Sequence, residues 1–182
     1  MRGLWDRVMG PGTTRAENLG TMLAALLAAT AVGIDTHVRL GVGGLAWVVA
    51  TAIAFDIGAG VWVLATPAAR RWYHREGMGW LQALAFPAGH VHPFVVAALF
   101  AGAPWRWAGF LYGAIVLATA AVRVAPRPLR NSTALLASAV IIAVAAALGP
   151  DAPAWLAPTL TLKLVAAHAV PDIPALAAAP QE

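Results

Sequence analysis

Six long apolar blocks, separated by short segments that hold most of the charge, constrain this chain more than any other feature. They run over Leu19–Ile34, Leu45–Ala65, Trp80–Ala101, Trp107–Val124, Thr133–Leu148 and Ala154–Val170. A helix that crosses a bilayer needs about 20 mainly apolar residues. The first, fifth and sixth blocks are short for that and are expected to borrow flanking residues. Of the 182 residues, 60% are hydrophobic and only 11% charged, whereas a soluble domain carries about a quarter charged residues because its surface faces water. The surface of this chain has to face lipid. The pattern predicts an all-α, polytopic integral membrane protein: one membrane domain over residues 1–182, built as a six-transmembrane-helix bundle.

The basic residues set the expected orientation. Arg2, Arg7 and Arg15 precede the first block, Arg70, Arg71 and Arg75 lie between the second and third, and Arg123, Arg127 and Arg130 between the fourth and fifth. The intervening connections hold only Arg39 and Arg106. Arginine and lysine accumulate on the cytoplasmic side of membrane proteins, and this nine-to-two split alternates correctly across six spans. It predicts both termini inside (N-in, C-in). A cleavable signal peptide is the rival reading of the first block, but the polar lead before Leu19 is long for one. The Arg and Ala bias suggests a GC-rich bacterial genome, hence a multi-pass protein of the inner (plasma) membrane. Amphipathic indoles belong at membrane interfaces, so Trp47, Trp105, Trp107 and Trp155 are expected at the outer one, and Trp62, Trp72 and Trp80 at the inner one. The net charge of +4 is then read as orientation and attraction to anionic lipid. Membrane lipids are the expected partners, and nucleic acid is not. Cysteine is absent, which excludes disulfides, thiolate ligands and a thiol nucleophile. Asn131-Ser132-Thr133 is expected to cap the fifth block.

Ionisable side chains inside apolar blocks are costly, and they face the bundle interior or a water-filled cavity. Asp56 lies near the middle of block two, His90 and His92 near the middle of block three, and Lys163 near the middle of block six with His168 beyond it. A shallower group comprises Glu17, Asn18, His74, His168 and Asp172, and His74 reads first as part of an interfacial anchor. Ala52, Gly58, Ala59 and Gly60 surround Asp56, and such small residues let a neighbouring helix approach. The run Phe86-Pro87-Ala88-Gly89-His90-Val91-His92-Pro93 predicts a kinked or unwound segment. In a regular helix, residues two apart point to nearly opposite faces; a break can bring His90 and His92 to one site.

Three chemistries fit these residues. His90, His92 and His168 would ligate a zinc-like divalent metal ion, with Asp56 and Lys163 as catalytic groups of a membrane hydrolase acting on a lipid-like substrate. Alternatively, Asp56, His90 and Lys163 would relay protons in a proton-linked small-solute transporter. The third possibility is structural, with Asp56 paired to Lys163 in a non-catalytic subunit of a larger membrane complex. A close Asp56–Lys163 pair would compete with a metal for the carboxylate. Haem between His90 or His92 and His168 would need flat room between them. Zinc-dependent membrane hydrolases of the ceramidase and adiponectin-receptor type are similar in combining intramembrane histidines with an Asp, but their late HxxxH pair is missing here. Rhomboid proteases are similar in having six spans and a histidine on the sixth, yet Phe110-Leu111-Tyr112-Gly113 stands where their GxSx nucleophile is expected.

The arginine pattern makes a direct prediction. Reporter fusions after Arg71 and Arg127 should read cytoplasmic, and fusions after Arg39 and Arg106 external; one reversal breaks the six-span arrangement.

Overall fold

The computed structural model describes residues 3–170, and its elements are all helical: α1 (Leu4–Met9), α2 (Arg15–Ile34), α3 (Gly44–Ala65), α4 (Pro67–Tyr73), α5 (Trp80–Ala88), α6 (His92–Leu99), α7 (Trp105–Val124), α8 (Arg130–Leu148) and α9 (Leu156–Thr161). Among the described residues, four helical stretches are long and apolar enough to cross a membrane: Arg15–Arg39, Gly44–Ala65, Trp105–Val124 and Arg127–Leu148. They correspond to the first, second, fourth and fifth apolar blocks. The third and sixth blocks are helical too, but neither is one continuous α-helix.

Local chemistry explains the ends. Thr14 caps α2 in a reciprocal box: its Oγ1 accepts from the Glu17 amide at 3.2 Å, and Glu17 Oε2 accepts from the Thr14 amide at 2.7 Å. Satisfying the otherwise unpaired amides of the first turn starts the helix ahead of Leu19. At its other end α2 continues into a π-helical turn, Asp35–Arg39, closed by a 2.7 Å Arg39–Asp35 ion pair. Pro67 stands in the first turn of α4, and the Thr66 hydroxyl accepts from the Ala69 amide there.

Small residues bring α2 and α3 together along their length. A Cβ on Gly58 would lie 2.5 Å from Ala28 Cβ and 2.7 Å from the Ala24 carbonyl oxygen. Gly20 lies against the Trp62 ring, and Gly33 against Trp47 and Thr51. Trp47 also donates its Nε1–H to the Gly33 carbonyl at 2.8 Å. Without a hydrophobic driving force between helices in lipid, close backbone approach and dispersion contacts are what hold such a pair.

The sixth block forms the centre of the bundle. α9 passes into a π-helical segment, Leu162–His168, and Leu160, Thr161, Lys163, Leu164, Val165 and His168 are all buried. It packs on α3, α7 and α8. Thirteen residues at about 1.5 Å each reach only about 20 Å, so this element is a short post set among longer helices.

The structure corrects two expectations and adds an element. Trp107 does not present its ring to an interface: it is 2% exposed and packs against Gly149 in the core. Asn131-Ser132-Thr133 does not cap the fifth block, because α8 already starts at Arg130 without a side-chain cap, and Thr133 donates its hydroxyl back to the Leu129 carbonyl at 2.9 Å. The addition is α1, which docks on α4: Tyr73 donates its hydroxyl to the Val8 carbonyl at 3.1 Å, and Gly10, at φ +83°, lies against the Ala68 backbone.

The contact at Gly58 carries a stability prediction. Gly58→Ala should destabilise the protein by about 1–3 kcal/mol through overpacking against Ala24 and Ala28. Gly109→Ala, where a Cβ meets nothing within 4 Å, should be neutral or slightly stabilising. Thermal unfolding of both variants in detergent checks the difference.

Candidate functional site

Pro87 and Pro93 bracket a break in the third apolar block. Pro87 lacks an amide proton, and α5 ends at Ala88, with α6 beginning at His92 and Pro93 in its first turn. Interrupted helices free carbonyls that must find partners in apolar surroundings. Here Tyr112 of α7 donates its hydroxyl to the Ala88 carbonyl at 2.9 Å, and His90 bonds the Phe86 carbonyl through Nδ1 at 2.7 Å. A carbonyl only accepts, so His90 carries its proton on Nδ1 and presents Nε2 as a lone pair. The break also rotates His92 toward its neighbour: the two imidazole centroids are 5.3 Å apart.

Asp56 and Lys163 meet at this level. Lys163 Nζ lies 2.5 Å from Asp56 Oδ2 and 3.4 Å from the Asp56 carbonyl oxygen. His92 Nε2 stands 3.8 Å from the same Oδ2. The pair is asymmetric: the lysine side chain is 3% exposed and the aspartate 52%. Gly60 makes the geometry possible, because a Cβ there would collide with Cε and Cδ of Lys163. The lysine stem crosses α3 over the one residue that leaves room for it.

The aspartate faces a cavity of about 350 Å³ between α1, α2, α3, α4 and the α5–α6 break. Asp56, Lys163 and His90 form its polar end, and Trp5, Phe55, Tyr73 and Phe86 supply aromatic walls.

Of the five site residues expected from the sequence, four come together: Asp56, Lys163, His90 and His92. His168 stands apart. The Phe86 ring packs against both His90 and His168, at centroid distances of 4.8 and 4.4 Å, and takes up the flat room that a bis-histidine haem would need. His168 is held instead by the Ala83 carbonyl, 3.3 Å from its Nε2, with Tyr73 and His74 beside it at 5.7 and 6.1 Å between ring centroids. Among the described residues, no three His, Asp or Glu side chains form a group that could hold a metal ion. Of the shallower group, Glu17 serves the α2 cap, while Asp172 lies outside the described residues. Sequence reasoning missed three contributors: Phe86, Tyr112 and α1. Phe86 was visible only as the first letter of the Pro/Gly/His run, and neither Tyr112 nor α1 carries a local signal for its role.

Compared with protein-family models, with curated proteins and with solved structures, the chain matches none. The residues of the site are therefore the ground for a functional reading.

The unequal exposure of the ion pair predicts unequal mutational costs. Asp56→Ala strands a buried ammonium and should cost about 3–5 kcal/mol, whereas Lys163→Met leaves a carboxylate that reaches open space and should cost clearly less. Asp56→Asn combined with Lys163→Met should recover most of the loss. Unfolding midpoints of the three variants check the order.

Proposed function

We propose that this protein is a six-pass bacterial inner-membrane protein, both termini cytoplasmic, that works as a proton-linked transporter of a small solute. The arginine distribution supports the orientation. The third block supports a span despite its break, since Trp80–Leu99 covers about 30 Å at helical rise. In this arrangement α9 and the π-helical segment after it form a short sixth pass, most of its side chains buried against its neighbours and Leu162 exposed.

One observation carries the transport reading: Asp56 Oδ2 is shared between Lys163 Nζ at 2.5 Å and His92 Nε2 at 3.8 Å, at the polar end of a cavity. Three titratable groups around one oxygen offer alternative places for one proton, and His90 extends the set by its free Nε2. Ionisable groups that face a cavity at membrane depth commonly mark ion or proton paths. The helix break beside them supports the same reading, because irregular backbone at that depth is tolerated where it lines a cavity or is enclosed by protein.

A zinc-like metal serving hydrolysis of a lipid-like substrate is a second reading, favoured by the proximity of His90 and His92. It has less support. Lys163 already neutralises the Asp56 carboxylate, and Phe86 stands between His90 and His168.

Proteoliposomes test the transport reading. With small solutes supplied on the opposite side, wild-type protein should carry protons under an imposed pH gradient, measured with an internal pH dye, and the variant D56N/K163M should carry none while remaining folded. Absence of proton flux from the wild type under every combination of pH and solute gradients removes the reading.

A further inference from the structure

We infer that the cavity beside Asp56 is a binding site for a lipophilic organic cation, and that each bound cation displaces the proton of Lys163. The inference rests on the transport reading and names its solute class.

The groups lining the cavity set the ligand's charge. Lys163 is withdrawn: its side chain is 3% exposed, its stem lies across Gly60, and its ammonium is engaged by Asp56. Asp56 is the charged group that the open space meets, with half of its side chain exposed. An anion entering here would find a carboxylate in front and the ammonium behind it. A cation finds the carboxylate directly.

The walls set the rest of its chemistry. Trp5, Phe55, Tyr73 and Phe86 place four aromatic rings around the cavity, and aromatic faces attract organic cations, more strongly when these are desolvated. The other lining residues are mostly apolar, with Met9, Met22, Val63 and Leu64 among them. A volume of about 350 Å³ suits a small organic ligand. Phe55 and Met22 line the cavity and stay partly exposed there, so apolar surface remains open to a ligand.

Charge balance couples the cation to a proton. The titratable groups that face Lys163 are Asp56 from α3 and His90 and His92 from the break. With both imidazoles neutral, the pair Lys163-NH3⁺ and Asp56-COO⁻ has no net charge. Adding a cation alone would leave a net positive charge in apolar surroundings, which is costly. Breaking one N–H bond of Lys163 and releasing that proton to water restores neutrality: the lysine keeps the electron pair as a neutral amine, and the cation takes its place at the carboxylate. The reverse step, proton in and cation out, regenerates the ion pair, and the exchange is electroneutral.

Titration calorimetry of the purified protein in lipid nanodiscs, with benzyltrimethylammonium as the probe, tests this. Runs in two buffers of different ionisation enthalpy count the protons released. The expected result is saturable binding with about one proton released per cation, and at least about tenfold weaker binding of the uncharged isostere neopentylbenzene, equivalent to about 1.4 kcal/mol. K163M should bind the cation without releasing a proton, and D56N/K163M should lose the preference for the charged probe. Binding by the wild type without proton release, equal affinity for the isostere, release that persists in K163M, or no binding at all would each overturn the proposal. Proton flux in proteoliposomes without cation binding defeats the cation site and leaves the transport reading standing. Cation binding with proton release but no flux does the reverse.

Discussion

A lysine ammonium in the middle of an apolar bundle is the constraint around which this structure is arranged. Transfer of such a charge into a low-dielectric interior costs several kcal/mol even after relaxation, so Lys163 needs a partner at short range and a path to reach it. Asp56 is the partner, 2.5 Å away, and Gly60 is the path. The central post carries the lysine inward, and the π-helical turn Leu162–His168 sets the local spacing of the side chains there. Isolated π-turns within α-helices often coincide with functional positions. Here the turn spans the lysine and His168, the two ionisable groups of the sixth block.

The break in the third block serves the same centre. An unbroken helix would direct His90 and His92 to opposite faces. Two prolines and a glycine abolish that geometry, and the freed carbonyls are answered by Tyr112 and by His90 itself. The hydrogen bond that repairs the backbone also fixes the imidazole tautomer, so one contact solves a structural problem and leaves Nε2 as a lone pair. The chemistry and the irregular backbone occur together because each depends on the other: a regular helix would not gather these side chains, and an irregular one would not persist in an apolar bundle without them.

The division of labour among the helices follows from this. The four long apolar helices form a frame, with α2 and α3 drawn together by Gly20, Gly33 and Gly58. The interrupted third block and the short central post carry four of the five ionisable site groups, and α3 contributes the fifth, Asp56. Phe86 divides the interior into a mid-bundle cluster around Asp56 and an end cluster of Tyr73, His74 and His168 near the arginine-rich connections. α1 closes the space between these clusters and the α2–α3 pair, its Met9 packing with Val63, Leu64, Ala69 and Ala167.

Hydropathy alone located all six apolar blocks, because apolar length is a one-dimensional property that needs no partner to be read. The same holds for the break at 87–93, since proline and glycine act on their own backbone, and for the suspicion attached to Asp56, His90, His92 and Lys163, since an ionisable residue in an apolar run is anomalous wherever it packs. Tertiary structure alone decided which of them meet. Thr14 and Glu17 could extend α2 through local hydrogen bonds, but Trp107 turned inward because Gly149 left a place for its ring. His168 was separated from His90 because Phe86 filled the interval, and periodicity cannot reveal which ring lies between two helices far apart in sequence. Gly60 looked like a helix-packing residue and proved to be the clearance for a lysine stem more than a hundred positions away in the chain. The sequence specified the cost of each buried charge; only the packed bundle determined what offsets it.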